Sequence, residues 1–126
     1  YVNRQRGAGT RILFDYLLSE NGLVPEEIEG YTYEASTHMA VAALVSSDGA
    51  DAGMGIQSAA KAMDLDFLPI GAEEYDFALY PKSLELPHIQ AFLDVLQSRE
   101  FRMKLEELGG YDTSGIGEQI LVHGFC

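Results

Sequence analysis

The chain of 126 residues carries twenty acidic against eight basic side chains, a net charge of −12. That length suits one domain with a real core, and 47% hydrophobic with 22% charged residues is the balance of an ordinary globular protein. The charge excludes general nucleic-acid binding, which needs a basic footprint, and no apolar run approaches the roughly 18 residues of a membrane span.

The first element follows an unusual opening, "NRQRGAGTR" (residues 3–11), in which Arg4, Arg6 and Arg11 stand with no acidic neighbour. A strand end, a glycine turn and a helix start are expected in that order. Ile12, Leu13, Tyr16 and Leu17 then form a helical stripe, and Asn21-Gly22 supplies the stop. Pro25 is placed to open a short helical turn, and the alternation in "YTYEAS" (31–36) reads as a short strand. Ser36 or Thr37 then caps a second helix with Met39, Val41, Ala42, Leu44 and Val45 as its apolar residues, ended at "SDG".

"ADAGMGI" (50–56) is expected as a buried strand and "QSAAKAMDL" (57–65) as a short helix. "DFLPIG" (66–71) and "YDFALYP" (75–81) read as two more strands, each closed by a proline. Two helices end the pattern. One has Ile89, Phe92, Leu93 and Leu96 on one face; the other has Phe101, Leu105 and Leu108, with Gly109-Gly110 as its stop. Strands alternating with helices predict α/β layering around a mostly parallel sheet, with a ligand crevice beyond the carboxyl ends of the strands.

The opening turn is the first site candidate. In Gly7-Ala8-Gly9 the two glycines let the backbone come close to a ligand, the free N–H groups at the start of the following helix point outward with a dipole that favours an anion, and Thr10 adds a hydroxyl donor. Arg4, Arg6 and Arg11 would add charge-assisted hydrogen bonds. The plainer reading is a glycine-rich helix start with solvated arginines, and the residues alone leave both open. The nucleotide motifs fail: the third glycine of a dinucleotide fingerprint would stand at Ile12, and no Gly-Lys-Ser or Gly-Lys-Thr follows the turn.

Thr37 and His38 begin the second helix, either as an ordinary cap with a surface histidine or as a second wall of the same site. His88 and His123 have no metal-ligand spacing. "SDGADAGMG" (47–55) lacks the acidic spacing of a calcium loop, and the acids of "GAEEYDF" (71–77) suit a solvated loop better than acid–base work. No nucleophile–base frame is evident, so neither catalysis nor a cofactor is expected. The lone Cys126 gives no disulfide framework, and with no basic-then-apolar leader pattern the expected location is cytoplasmic. Because the chain starts at Tyr1 without Met, a fragment of a longer protein is expected.

"RQRGAGTR", "THMAVAALVSSDGADAGMGI", "LDFLPIGAEEYDFALYP" and "FLDVLQSREFRMKLEELGGYD" together resemble the periplasmic-binding-protein-like module of molybdate-related proteins. That module is similar to the type 2 periplasmic binding fold and to the effector domains of LysR-type regulators. The resemblance implies a three-layer lobe, a mostly parallel sheet flanked by helices, in a two-lobed clamp. Residues 1–126 would be a single such domain. Residues up to about 70 would be second-lobe core, residues from about 75 to 126 would return toward the first lobe, and the first half of that lobe would be missing.

It also implies a non-catalytic module for a small anion: molybdate, tungstate or a molybdopterin-related ligand. The anion would be held by Gly7 to Thr10 with Arg4, Arg6 or Arg11 nearby, and by Thr37 and His38 across the cleft. One departure stands out. Molybdate-binding proteins of this fold place a ligand-contacting Tyr where this chain has Ile56. The implied partners are a fused enzyme or DNA-binding domain in the parent chain and a second copy in a homodimer. The alternative is an accessory domain of a molybdopterin-biosynthesis enzyme without its own oxyanion site.

Overall fold

A computed structural model describes residues 1–122; His123 and Cys126 lie outside the described residues. The fold is mixed α/β, and the chain divides into two compact units, Tyr1–Pro69 and Ile70–Cys126.

The first unit is built around a small parallel sheet. Strand β1 (Asn3–Arg4) pairs with β2 (Glu34–Ala35), Asn3 opposite Glu34 and Arg4 opposite Ala35. On the other side of β1, Val2 forms a parallel bridge with Gly53, its N–H donating to the Ala52 carbonyl at 2.9 Å. Successive N–H groups along an extended chain point to opposite sides, which leaves β1 in the middle. Helix α1 (Gly9–Glu20) connects β1 to β2; α2 (His38–Ser46) leads from β2 toward Gly53; α3 (Gln57–Ala62) follows. The expected 3-10 turn is present at Pro25–Glu27.

Local chemistry explains these boundaries. The Thr37 Oγ1 accepts from the Ala40 N–H at 2.9 Å, capping α2. Asn21 closes α1, its Nδ2 donating to the Leu17 carbonyl at 2.8 Å, and Gly22 turns the chain at φ +69°. Val2, Ala35 and Val41 form the core, with Leu44 and Val45 packed against it. A Cβ at Gly53 would collide with the side chains of Val41 and Val2, so glycine fits best where that exposed segment passes against the edge of the core.

Two expectations for this unit need correction. "ADAGMGI" is not a buried strand: it contributes the single bridge at Gly53, and residues 51–53 are exposed. The apolar stripe of α1 turns inward only in part: Leu13 and Leu17 are half-buried. Ile12 is 62% and Tyr16 58% exposed, while Arg11 and Leu18 are buried. Arg11 pairs with Glu34, and Tyr1 stacks on Phe14 with ring centroids 4.4 Å apart. Those partners rotate the arginine face inward.

The second unit is helical. A 3-10 turn (Pro81–Glu85) precedes α4 (Pro87–Leu96) and α5 (Arg99–Leu108). The Ser98 hydroxyl caps α5 by accepting from the Phe101 N–H at 3.2 Å, and Gly109 ends it at φ +79°. Leu93 is buried, and Phe77 meets Phe92 edge-on at 5.1 Å.

The expected strands at 66–71 and 75–81 do not form; residues 66–80 stay outside any ladder and exposed. Alternating apolar residues make a strand only when a neighbouring strand takes up the backbone hydrogen bonds. The described residues offer none there. The sheet described therefore has two strands with a bridge, smaller than the three-layer lobe expected.

Candidate functional site

Both strands of the parallel pair run directly into helix starts. β1 leads through residues 5–8 to α1, and β2 through 36–37 to α2, so the two helix N-termini share the carboxyl end of the sheet. The strand order also reverses at β1, with β2 on one side and Gly53 on the other. Open α/β sheets bind ligands at such a point.

Arg4 ties the two starts together. Its Nη1 lies 2.9 Å from His38 Nδ1 and its Nη2 donates to the Ser36 carbonyl at 3.2 Å. A guanidinium has no acceptor, so the histidine nitrogen accepts in this contact. The Arg4 Nε is buried and has no partner among the described residues. The backbone at Gly55 runs beside His38. Ile56, 39% exposed, is the N-cap residue of α3 and brings no hydrogen-bonding side chain there.

Arg11 is placed differently. It is 6% exposed, its Nη1 donates to Glu34 Oε1 at 2.6 Å and to the Arg4 carbonyl at 3.1 Å, and it lies 4.8 Å from the centre of the Tyr31 ring. The hydrogen bond to Glu34, and then that to Tyr31, hold its pKa above the ordinary arginine value. Its charge is matched inside the protein.

Arg6 is exposed and has no protein partner among the described residues. Beside it, Gly7 has φ +85° and open space where a Cβ would stand; Gly9 is equally open. Ala8 is the N-cap of α1 and offers no capping side chain. The N–H groups of Gly9 and Thr10 therefore have no backbone or capping acceptor. Of the nine residues singled out in the sequence, Arg4, Thr37 and His38 gather at the start of α2, and Arg6 to Thr10 form the turn. Arg11 supports the turn from beneath through the Arg4 carbonyl.

Sequence reasoning missed Asp15, Tyr31 and Glu34. Arg6, Gly7, Arg11, Ile12, Asp15 and Tyr31 line a shallow cleft of about 290 Å³. The Tyr31 hydroxyl donates to Asp15 Oδ1 at 2.8 Å. Burial pushes the nearby Tyr1 phenol up to about 12; the Met54 N–H, donating to its oxygen, opposes that shift, and the Asp15 charge adds to it. The missing signal was the strand register: Glu34 reaches Arg11 only because β2 lies parallel to β1. Among the described residues no three His, Cys, Asp or Glu side chains come together as a metal site, and no helix is long and apolar enough to cross a membrane.

Helix starts gathered at the carboxyl end of a parallel sheet define an α/β ligand-binding module. The PBP superfamily domain model matches residues 1–97, and the chain belongs to that periplasmic-binding-protein-like superfamily. It is similar to the uncharacterized Bacillus subtilis protein YvgK, 38% identical over 120 residues, which cover 95% of this chain and 38% of that protein. It is also 34% identical over 108 residues to an uncharacterized Clostridium pasteurianum protein from the 5′ region of a ferredoxin 2Fe-2S gene. That match covers 85% of this chain and 96% of the other. The chain thus spans well under half of the Bacillus relative. No solved structure matches it significantly.

Proposed function

We propose that the chain is a non-catalytic module that holds a small ligand by an anionic group at the β1–α1 turn. One observation carries this reading. Arg6 is exposed and stands beside the open backbone of Gly7, and neither it nor the N–H groups of Gly9 and Thr10 have a partner among the described residues. These donors converge at a helix start and would meet an anion with charge-assisted hydrogen bonds. Molybdate, tungstate and a molybdopterin-related anion are the candidates taken from the sequence resemblance. Ile56, where that resemblance calls for a Tyr, removes one hydrogen bond from them.

Calorimetric titration with molybdate, tungstate, sulfate and phosphate tests the oxyanion form. Saturable heat with at least one is expected, with affinity about tenfold weaker in Arg6→Gln. No heat and no thermal shift with any of them would end the oxyanion form. Unchanged affinity in the variant would move the site elsewhere.

A second reading is an accessory domain of a molybdopterin-biosynthesis enzyme. The chain matches 38% of YvgK and 96% of the Clostridium protein, so it is similar both to part of a longer protein and to nearly the whole of a short one. The parent gene separates the two: an upstream helix-turn-helix supports sensing, and an upstream molybdotransferase domain supports the enzyme. The lobe assignment and a homodimer belong to the same proposal. Exposed apolar residues such as Leu68, Tyr75 and Tyr80 favour self-association, and a monomer in light scattering would refute the dimer.

A further inference from the structure

We infer that the cleft beside the β1–α1 turn takes a zwitterion of the free α-amino acid class, its carboxylate on Arg6 and Gly7 and its ammonium on Asp15. This rests on the reading of that turn as the ligand site and adds the chemistry of the ligand. The sequence made the turn look positively charged, but folding changes its balance. Glu34 neutralises Arg11 through the 2.6 Å contact, which leaves Arg6 and Asp15 as the cleft's remaining charges.

Each of the two has capacity to spare. Arg6 has no protein partner among the described residues. Asp15 accepts from the Tyr31 hydroxyl on one oxygen, while a carboxylate offers about four acceptor positions. Its second oxygen has no partner among the described residues. Among the described residues that line the cleft, a bare dianion would meet Arg6 as the one unpaired cation and be opposed by Asp15. A molecule carrying both signs satisfies both groups, and each contact is of the stronger, charge-assisted kind. The volume of about 290 Å³ lies just below the usual range of drug-sized sites, which suits only a compact ligand. The exposed side chain of Ile12 adds an aliphatic wall.

Amide NMR titration of the whole chain tests this with four probes: L-alanine, L-lactate, ethylamine and molybdate. Lactate keeps the carboxylate and replaces the ammonium by a hydroxyl; ethylamine keeps only the cation. L-alanine is expected to shift Gly7, Ile12 and Tyr31 saturably, with affinity at least about tenfold above lactate or ethylamine. Asp15→Asn keeps an acceptor for Tyr31 and removes the charge, so it should abolish the preference of alanine over lactate. Arg6→Gln, at an exposed position, should weaken alanine and lactate alike. If lactate or molybdate shifts the same amides as strongly as alanine, the zwitterion is wrong while the site stands. If no probe shifts them, the site reading fails with it.

Discussion

The two units differ in what they bury. The first encloses Val2, Ala35 and Val41 around a parallel sheet and brings even a charged group, Arg11, to 6% exposure. The second, among its described residues, buries only Leu93, and Tyr75 and Tyr80 are 88% and 76% exposed. A closed core fixes the positions of the turns that leave it, so the first unit can hold a preorganised site. The second is an open surface with two helices, of which α5 is capped by Ser98 and α4 starts at Pro87 without a side-chain cap, and aromatic pairs add to its local order.

The largest expected effect that would break this contrast lies at Gly53. Gly53→Ala should destabilise the first unit by about 3 kcal/mol, because the new methyl must displace Val41 and Val2. Urea unfolding followed at first-unit amides would report it, with second-unit amides little changed. Glu34→Gln comes next, at about 2 kcal/mol. It leaves the buried Arg11 guanidinium without its counter-charge, although water around the 40% exposed Glu34 offsets part of the loss.

Thr37→Ala and Ser98→Ala each remove a helix cap and should each cost about 1 kcal/mol, read from the amide exchange of α2 and α5. Val95→Ser, at a 59% exposed position of α4, should change stability by less than about 0.5 kcal/mol. A loss above 1 kcal/mol there would mean that the second unit packs its apolar surface after all.

The Tyr1 phenol adds a pH test of the first unit. Its folded pKa of about 12 lies above the ordinary 10.0, so the fold holds the proton more tightly than the unfolded chain does. Its contribution is complete below about pH 10 and is lost as pH rises through about 12. Thermal unfolding of the wild type should therefore fall off more steeply across that window than that of Tyr1→Phe.

Much of the fold was legible because it is local. Thr37 as a cap, Asn21-Gly22 and Gly109 as stops, and the strand–turn–helix order of residues 3–20 all depend on neighbours in sequence. What failed depended on distant partners. The apolar spacing of Ile12 and Tyr16 was real, but a salt bridge to Glu34 decided which side of α1 faces inward. The segments 66–71 and 75–81 have strand composition and no strand beside them among the described residues. The charge of the turn was misread in part for the same reason: Glu34, distant in sequence, pairs with Arg11 in space, whereas Asp15, four residues after Arg11 on the same helix, lines the cleft with Arg6.

The most direct test of the central claim is to map, by amide NMR on the whole chain, where small ligands bind. Molybdate, tungstate, sulfate, phosphate and free amino acids would be added in turn. The expected result is saturable shifts at residues 6–12 and Tyr31 with at least one of them, and none at Asp94 to Glu107 on α4 and α5. Shifts confined to α4 and α5, or no shift at the β1–α1 turn with any ligand, would contradict the account.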